Sequence, residues 1–240
     1  MYFGRNNLLF VDGLLQLFLS GVSIWDIFYI FVASHTKNRK KKIVTMSTPN
    51  DNPMQNIYNK MRSYYPVSEE SFQRLSQHFT PHHFPRKCLF IQAGIIDRNV
   101  YFIEKGMTRS YCLVDGKEHT TWFSSEGDIT FGLLCLYHNK AGFEYVETVE
   151  KTLAYSIPIQ KLNELYETDI EIANWSRVIH QECLLALQCT RIDRLTLSAR
   201  ERYEKLLQLY PDICRRVNLG YIASYLGISI STLSRIRAEF

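Results

Sequence analysis

The sequence predicts an α+β protein in which short antiparallel strands are followed by one long helix and a closing pair of short helices. Between residues 88 and 158, short runs of β-branched and aromatic residues alternate with turn residues, as in antiparallel sandwiches and barrels. Residues 168–196 contain no proline or glycine, and their apolar residues recur at helical spacing. The last stretch, YIASYLGISISTLSRIR, sets one glycine between two short helical segments.

The composition is ordinary for a globular protein, with 46% hydrophobic and 22% charged residues among 240. The net charge of +4 permits a nucleic-acid partner without requiring one. The six cysteines form no C-x-x-C pair and have no histidine at metal-ligand spacing. We therefore expect small buried hydrophobic cysteines in a reducing compartment, and neither a metal site nor an iron–sulfur cluster.

The first 45 residues differ from the rest of the chain. Residues 8–32 form an apolar run long enough to span a bilayer as a helix, but three polar side chains interrupt it. The segment 37–42, KNRKKK, then adds five positive charges, which would keep everything after them on the cytoplasmic side. We rank three interpretations: a mis-called gene start with Met46 as the true first residue, a single membrane anchor at 8–32, and a buried core helix. Each of them leaves the remaining chain in the cytoplasm.

After Met46 the pattern predicts a helical segment and then a strand-rich one. Residues 56–79 are helical in pattern, and Ser68 is placed to cap a segment with two glutamates in its first turn. The pair Asp115-Gly116 indicates a tight type I′ hairpin turn, because both positions of that turn need a positive φ. The predicted strands are 88–92, 100–106, 107–114, 117–123, 143–150 and 152–158.

The long helix predicted at 168–196 carries a wide apolar stripe. We expect it to pack on the strands with one side and on the same helix of a second chain with the other. A core helix that packs only within its own chain is the alternative. The residues of the stripe are Ile172, Trp175, Val178, Ile179, Leu185, Ala186, Cys189 and Ile192.

The end of the chain has helix-turn-helix spacing. A capping box at 198–201 begins one helix. Asn218 can cap the next helix, and Gly227 supplies the left-handed turn residue after it. Ser229 can then cap a final helix over 230–237.

The outer face of the final helix predicts contact with DNA. Short hydroxyl side chains at a helix N-terminus suit phosphate oxygens, because backbone N–H groups point outward there. Arg235 can offer a bidentate fork to a guanine edge in the major groove, whereas Arg237 is better suited to a phosphate. A solvated helix end whose arginines complement the helix dipole is the alternative. The predicted DNA-binding residues are Ser229, Ile230, Ser231, Thr232, Ser234, Arg235 and Arg237.

From residue 46 onward, the order of parts resembles the Crp/Fnr (cyclic-AMP receptor / fumarate-nitrate regulator) family of bacterial transcription factors. The resemblance rests on CLFIQAG, VYFIEKGMTR, DGKE and EGDITFG in the strand-rich part and on YIASYLGISISTLSRIR at the end. It implies a cyclic-nucleotide-binding-type β-roll, which is a cupin-like jelly roll, at 46–167. It also implies a dimerisation helix at 168–196 and a helix-turn-helix DNA-binding domain at 197–240.

The resemblance further implies a homodimer that binds a palindromic operator in double-stranded DNA and acts on RNA polymerase. The base contacts of the family fall here on Ile230, Ser231 and Arg235. Ile230 replaces a polar residue usual at its place, so that it is suited to a thymine methyl instead. The wing that flanks the two helices in the family is expected to precede the first of them or to be missing.

The chain departs from the family in the cassette that holds the cyclic phosphate. Where the family has Phe-Gly-Glu-Leu-Ala-Leu and then an arginine, this chain has FGLLCL and then Phe-Glu-Tyr. Leu133 stands in place of the ribose-binding glutamate, and the carboxylate of Glu144 would repel a phosphate. We therefore expect that cyclic AMP does not bind in the usual way and that another effector, for example an apolar one, or none takes its place. The predicted pocket residues are Phe131, Gly132, Leu133, Leu134, Glu144 and Tyr145.

The leading hypothesis is a cytoplasmic, dimeric, sequence-specific DNA-binding transcriptional regulator without a cofactor. The alternative is a ligand-sensing module that acts through protein contacts, which an anchor at 8–32 would favour. An enzyme is not expected, because no Ser/His/Asp, Cys/His or paired-carboxylate arrangement follows from the spacing. His82 and His83 lie in a predicted loop between two prolines.

Overall fold

Within residues 53–239, which the computed structural model describes, eight strands form two antiparallel sheets of four strands each. The hydrophobic extension predicted at 1–45 lies outside the described residues. One sheet has the order β1-β8-β3-β6 and the other the order β2-β7-β4-β5. The strands are β1 (Thr80–Phe84), β2 (Leu89–Ile91), β3 (Asn99–Lys105), β4 (Thr108–Val114), β5 (Lys117–Ser124), β6 (Ile129–Phe131), β7 (Glu144–Thr148) and β8 (Thr152–Pro158).

Helices precede, interrupt and follow the strands. They are α1 (Gln55–Tyr64), α2 (Glu69–Ser76), α3 (Leu133–His138), α4 (Ile159–Thr168), α5 (Ile170–Thr196), α6 (Ala199–Leu209), α7 (Ile213–Arg216), α8 (Leu219–Leu226) and α9 (Ile230–Ala238). The predicted α+β class, with a roll, one long helix and a closing helix pair, is confirmed. We call α8 the scaffold helix and α9, on which the predicted DNA-binding residues lie, the recognition helix. The bounds predicted for the three domains stay a prediction.

Capping side chains next to the helices determine where several of them begin. The side chains of Ser68, Ser198, Asn218 and Ser229 each accept a backbone N–H in the first turn of the helix that follows, as predicted. The long helix begins at Ile170, two residues later than predicted, because the carboxylate of Asp169 caps it. None of the helices that the structure describes is both long and apolar enough to cross a bilayer.

Two expectations were wrong, and proline explains both. The helical pattern of 56–79 is interrupted at Pro66, because the residue before a proline is disfavoured in a helix. His82 and His83 do not lie in a loop but in β1. This strand lies at the edge of its sheet, and an edge is where a proline is tolerated within a strand.

The main hydrophobic core lies between the first sheet and helices α1, α2, α4 and α5. The ring of Phe102 in β3 lies 5.8 Å from that of Trp175 in α5, and both side chains are buried. Arg74 of α2 also pairs with Asp169 at 2.8 Å, which ties the start of α5 to α2. The first half of the long helix is therefore fixed to the roll.

A second core joins the helix-turn-helix to the other sheet. The roll contributes three buried residues, Met107, Phe123 and Val149, and they pack against buried residues of helices α6 to α9. The helical members of this core include Tyr203, Leu206, Ile222, Ala223, Leu226, Leu233 and Ile236. The recognition helix is thus held on the same body as the roll, with its apolar side turned inward.

Candidate functional site

The turn between the scaffold and recognition helices has the predicted geometry. Gly227 adopts a left-handed backbone with φ +68°, which a residue with a Cβ rarely adopts. The N–H of Ile228 then reaches back to the carbonyl of Ala223 at 3.0 Å. Ser229 begins the recognition helix by accepting the N–H of Thr232 at 3.0 Å. No strand follows β8 within the described part of the chain, so that part contains no wing after the roll.

The recognition helix has one buried and one exposed face. Leu233 and Ile236 are buried. Five of the predicted DNA-binding residues are exposed along its other side, namely Ile230, Ser231, Ser234, Arg235 and Arg237, and Thr232 is half-buried. Arg235 makes no hydrogen bond or ion pair to any residue in the range 53–239. Its guanidinium is therefore available to a partner molecule.

Ser229 differs from the other predicted DNA-binding residues. Its hydroxyl is used within the helix, where it caps the N–H of Thr232. It also lies 2.8 Å from the hydroxyls of both Ser231 and Thr232. The three hydroxyls form one cluster at the start of the helix, in which Ser229 is the structural member.

The scaffold helix is held against the edge strand β5. The hydroxyl of Ser224 accepts the backbone N–H of Thr120 at 2.9 Å and donates to the carbonyl of Glu118 at 3.1 Å. Nearby, the hydroxyl of Tyr210 donates to the carbonyl of Phe123 at 2.8 Å. These bonds satisfy backbone groups at the edge of the sheet, which would otherwise be open to another chain.

Arg216 forms an ion-pair group between the helical domain and the roll. Its guanidinium binds both oxygens of Glu126, at 2.7 and 3.0 Å, and also pairs with Glu150. Burial by itself would raise the pKa of Glu126, but the hydrogen bonds from Arg216 and from the N–H of Gly106 outweigh it and hold that pKa below its usual value. Sequence reasoning missed this group, because its members lie 66 and 90 residues apart.

Arg109 is a second contact that sequence reasoning missed. It is almost fully buried, between the rings of Tyr111 at 4.2 Å and of Tyr221 in the scaffold helix at 3.5 Å. Its charge is balanced by Glu118 and Glu147. A cation between two aromatic faces is favourable. The one available signal was an arginine within the otherwise apolar and hydroxyl-bearing strand MTRSYCLV.

The structure joins two of the predicted pocket residues, Leu133 and Glu144, and packs Phe131 against the main core instead. Gly132 precedes α3 and offers no side chain to cap it. The carboxylate of Glu144 takes that role, accepting the N–H of Leu133 at 2.9 Å. Burial raises the pKa of Glu144, and this hydrogen bond lowers it only in part. Tyr145 lies apart from them, since it points to the opposite face of β7 and stacks on Tyr111 at 5.1 Å.

A small aromatic cluster links the two sheets. Tyr101 comes from the first sheet and Phe90 from the second, and their ring centroids are 5.0 Å apart. Phe84 stacks on Phe90 at 4.7 Å, and Ile91 and Val146 complete the cluster.

The described cysteines and acidic residues do not assemble a metal centre. No group of three or more His, Cys, Asp or Glu side chains within 53–239 could hold a metal ion. Of the six cysteines, only Cys135 is buried as expected; Cys183 is exposed on the long helix, and the other four are half-buried.

Comparison with known proteins shows which proteins share this architecture. Residues 81–169 match the family Cyclic nucleotide-binding domain. The chain is 25% identical to the Regulatory protein HlyX of Actinobacillus pleuropneumoniae over 170 residues. This alignment covers 63% of this chain and 68% of HlyX. The structure is similar to that of CLP, a c-di-GMP-responsive global regulator of Xanthomonas campestris, with a TM-score of 0.59. The two sequences are 15% identical, and the match covers 72% of this chain and 91% of CLP. It is also similar to a protein described as a transcriptional regulator of the Crp/Fnr family from Eubacterium rectale, with TM-score 0.57, 18% identity, and coverage of 74% and 87%.

A cyclic-nucleotide-binding-type roll, a long helix and a helix-turn-helix in this order define a class of transcriptional regulators. The predicted resemblance to Crp/Fnr regulators is confirmed: the chain contains a cyclic-nucleotide-binding domain, and it is similar in sequence to the regulatory protein HlyX and in fold to Crp/Fnr-type regulators. The relatives named above are regulatory proteins, in keeping with the expectation that this chain is not an enzyme.

Proposed function

We propose that this regulator binds an operator in double-stranded DNA as a homodimer, with the exposed face of its recognition helix in the major groove. The observation that carries the proposal is Arg235, which is exposed and unpartnered among the described residues, while Leu233 and Ile236 anchor the same helix from behind. A guanidinium in this position can donate two hydrogen bonds to one guanine. Contact with RNA polymerase and a cytoplasmic location belong to the same proposal, because both follow from regulating transcription.

The second half of the long helix supports a dimer. Leu184, Leu187 and Leu195 lie on one side of α5, and 61%, 51% and 79% of their surfaces are exposed in the single chain. If α5 packed only within its own chain, these three leucines would remain exposed to water. We expect sedimentation to show a dimer for the wild type and a monomer for Leu187→Glu, because the charge would be buried unpaired. A monomeric wild type would contradict this part of the proposal.

A mobility-shift titration against the promoter region of its own gene tests the DNA contact. We expect Arg235→Ala to weaken specific binding by about 1–3 kcal/mol, the value of one good bidentate pair. Arg62→Ala is the matched control, since it removes an exposed positive charge from α1 on the roll. Unchanged sequence discrimination in Arg235→Ala would remove the proposed role of this residue.

Cyclic AMP is not expected to control this regulator in the usual way. The residues present do not fit the phosphate of a cyclic nucleotide, because the carboxylate of Glu144 lies at the N–H of Leu133. A negatively charged phosphate at this place would meet a like charge.

A further inference from the structure

We propose that Glu144 is an internal ligand of the roll, which holds the cassette closed so that DNA binding does not depend on a cyclic nucleotide. The proposal rests on the proposed DNA-binding function and concerns the regulation of the same protein. Its starting point is the hydrogen bond from the N–H of Leu133 to Glu144, at 2.9 Å, between residues 11 positions apart.

The carboxylate of Glu144 satisfies a backbone N–H at the start of α3 from a distant part of the chain. Helix α3 has no acidic residue in its first turn and no side-chain cap of its own, because Gly132 precedes it. The first N–H groups of a helix carry a partial positive charge and favour an anion. Glu144 supplies that anion from within the chain.

The loop before Glu144 is fastened as well. The carbonyl of Gly142 accepts the N–H of Gly94 at 2.9 Å, which joins this loop to the turn after β2. The side chain of Cys135, in α3, is buried and donates to the carbonyl of Ile95 in that same turn, with sulfur and oxygen 3.8 Å apart. The cassette helix, the loop and the turn therefore hold one another.

The aromatic cluster closes the roll independently of Glu144. Tyr101 is fixed by a hydrogen bond from its hydroxyl to Asp97, at 2.9 Å, and its ring packs against Phe84 and Phe90. The aromatic cluster and the bond from Leu133 to Glu144 are therefore two separate sets of internal contacts in the roll.

Strand β7 also connects the cassette to the helical domain. Its first residue is Glu144, Val146 packs in the aromatic cluster, and Glu147 pairs with Arg109 beneath Tyr221 of the scaffold helix. A strand held at both ends by internal partners offers a fixed support for the helix-turn-helix. We infer that the roll acts here as a structural part of the regulator.

The first experiment measures ligand dependence on the full chain. Calorimetric titration with cyclic AMP and with cyclic GMP is expected to give no binding heat. In the mobility-shift assay, saturating nucleotide should change the affinity for the promoter by less than about twofold, since a ligand without differential binding shifts no equilibrium. Binding of either nucleotide, or a larger shift in DNA affinity, would overturn the proposal.

The second experiment tests Glu144 itself by amide hydrogen exchange. In Glu144→Ala the N–H of Leu133 should exchange about fivefold faster, the effect of losing one helix cap. Glu144→Gln keeps an acceptor oxygen and should restore most of the protection, whereas Glu167→Ala, at an exposed position of α4, should change nothing at Leu133. Equal exchange in wild type and Glu144→Ala would overturn the internal-ligand role.

The two proposals fail separately. If the protein binds no DNA, the proposed function fails, but the calorimetry and the exchange measurement still decide whether Glu144 closes the cassette. If DNA binding is specific yet depends on a cyclic nucleotide, the proposed function stands and the internal ligand is wrong.

Discussion

The recognition helix α9 and the cassette helix α3 both have a first-turn N–H satisfied by a side chain, but the side chain comes from a different place in each. In α9, Ser229 satisfies the first turn from within the helix, and the guanidinium of Arg235 stays exposed. In the cassette, the N–H of Leu133 at the start of α3 is bound by Glu144, which comes from strand β7. The difference agrees with the two proposals, in which α9 contacts DNA and the cassette is held by the chain itself.

The largest expected effect separates the two faces of the recognition helix. Leu233 is fully buried, so Leu233→Ala should lower the free energy of unfolding by about 2–5 kcal/mol. The neighbouring Ser234 is exposed, and Ser234→Ala should change stability by no more than about 0.5 kcal/mol. Denaturant unfolding measures both variants. Similar stabilities for the two would mean that the helix is not anchored as described.

A smaller effect is expected where the helical domain meets the roll. Arg216→Ala leaves Glu126 and Glu150 without their shared counter-charge and should cost about 1–2 kcal/mol, allowing for partial exposure of the group. The adjacent Arg215 is exposed and pairs with Asp212 three residues away, so that Arg215→Ala should leave the unfolding transition almost unchanged. If both variants unfold alike, the ion-pair group of Arg216 does not help to hold the helical domain against the roll.

The same group makes stability depend on pH. Because the folded-state pKa of Glu126 lies below its usual value, its contribution is present above about pH 4.3 and is lost as the pH falls through the lower folded value. Glu126→Gln should therefore show a shallower fall in unfolding free energy below that pH than the wild type. Acid titrations of both proteins, followed by far-UV circular dichroism, check the slope.

The smallest effect concerns the phosphate contact proposed for Arg237. Arg237→Ala should weaken binding to all sequences alike and reduce the salt-dependence slope by about 1. Arg235→Ala measured beside it should instead lose discrimination between operator and non-operator DNA. Loss of discrimination in Arg237→Ala would reverse the two assignments.

The parts that could be predicted from the sequence are those set by neighbouring residues. The cap at Ser229, the left-handed turn at Gly227 and the hairpin at Asp115-Gly116 each depend on a few adjacent residues, and the structure has all three. Alternating apolar runs likewise indicated most strands. The two faces of the recognition helix follow from the 3.6-residue period alone.

The parts that could not be predicted depend on distant residues. Nothing local marks Arg216 as the partner of Glu126, because only the folded chain brings them together. The repulsion expected from Glu144 followed from the cassette pattern, but its bond to Leu133 needed the path of the chain between α3 and β7. β1 was missed because a proline in a strand is tolerated at a sheet edge, and strand order is not visible in sequence.

The most direct test of the central claim is a random-oligonucleotide selection with the purified full chain. A dimer that reads DNA through Arg235 should enrich one two-fold symmetric sequence with half-sites about 10 base pairs apart, and Arg235→Ala should lose the guanine preference. If the wild type enriched no sequence, the recognition helix would not be a DNA-reading surface, and the account would be contradicted.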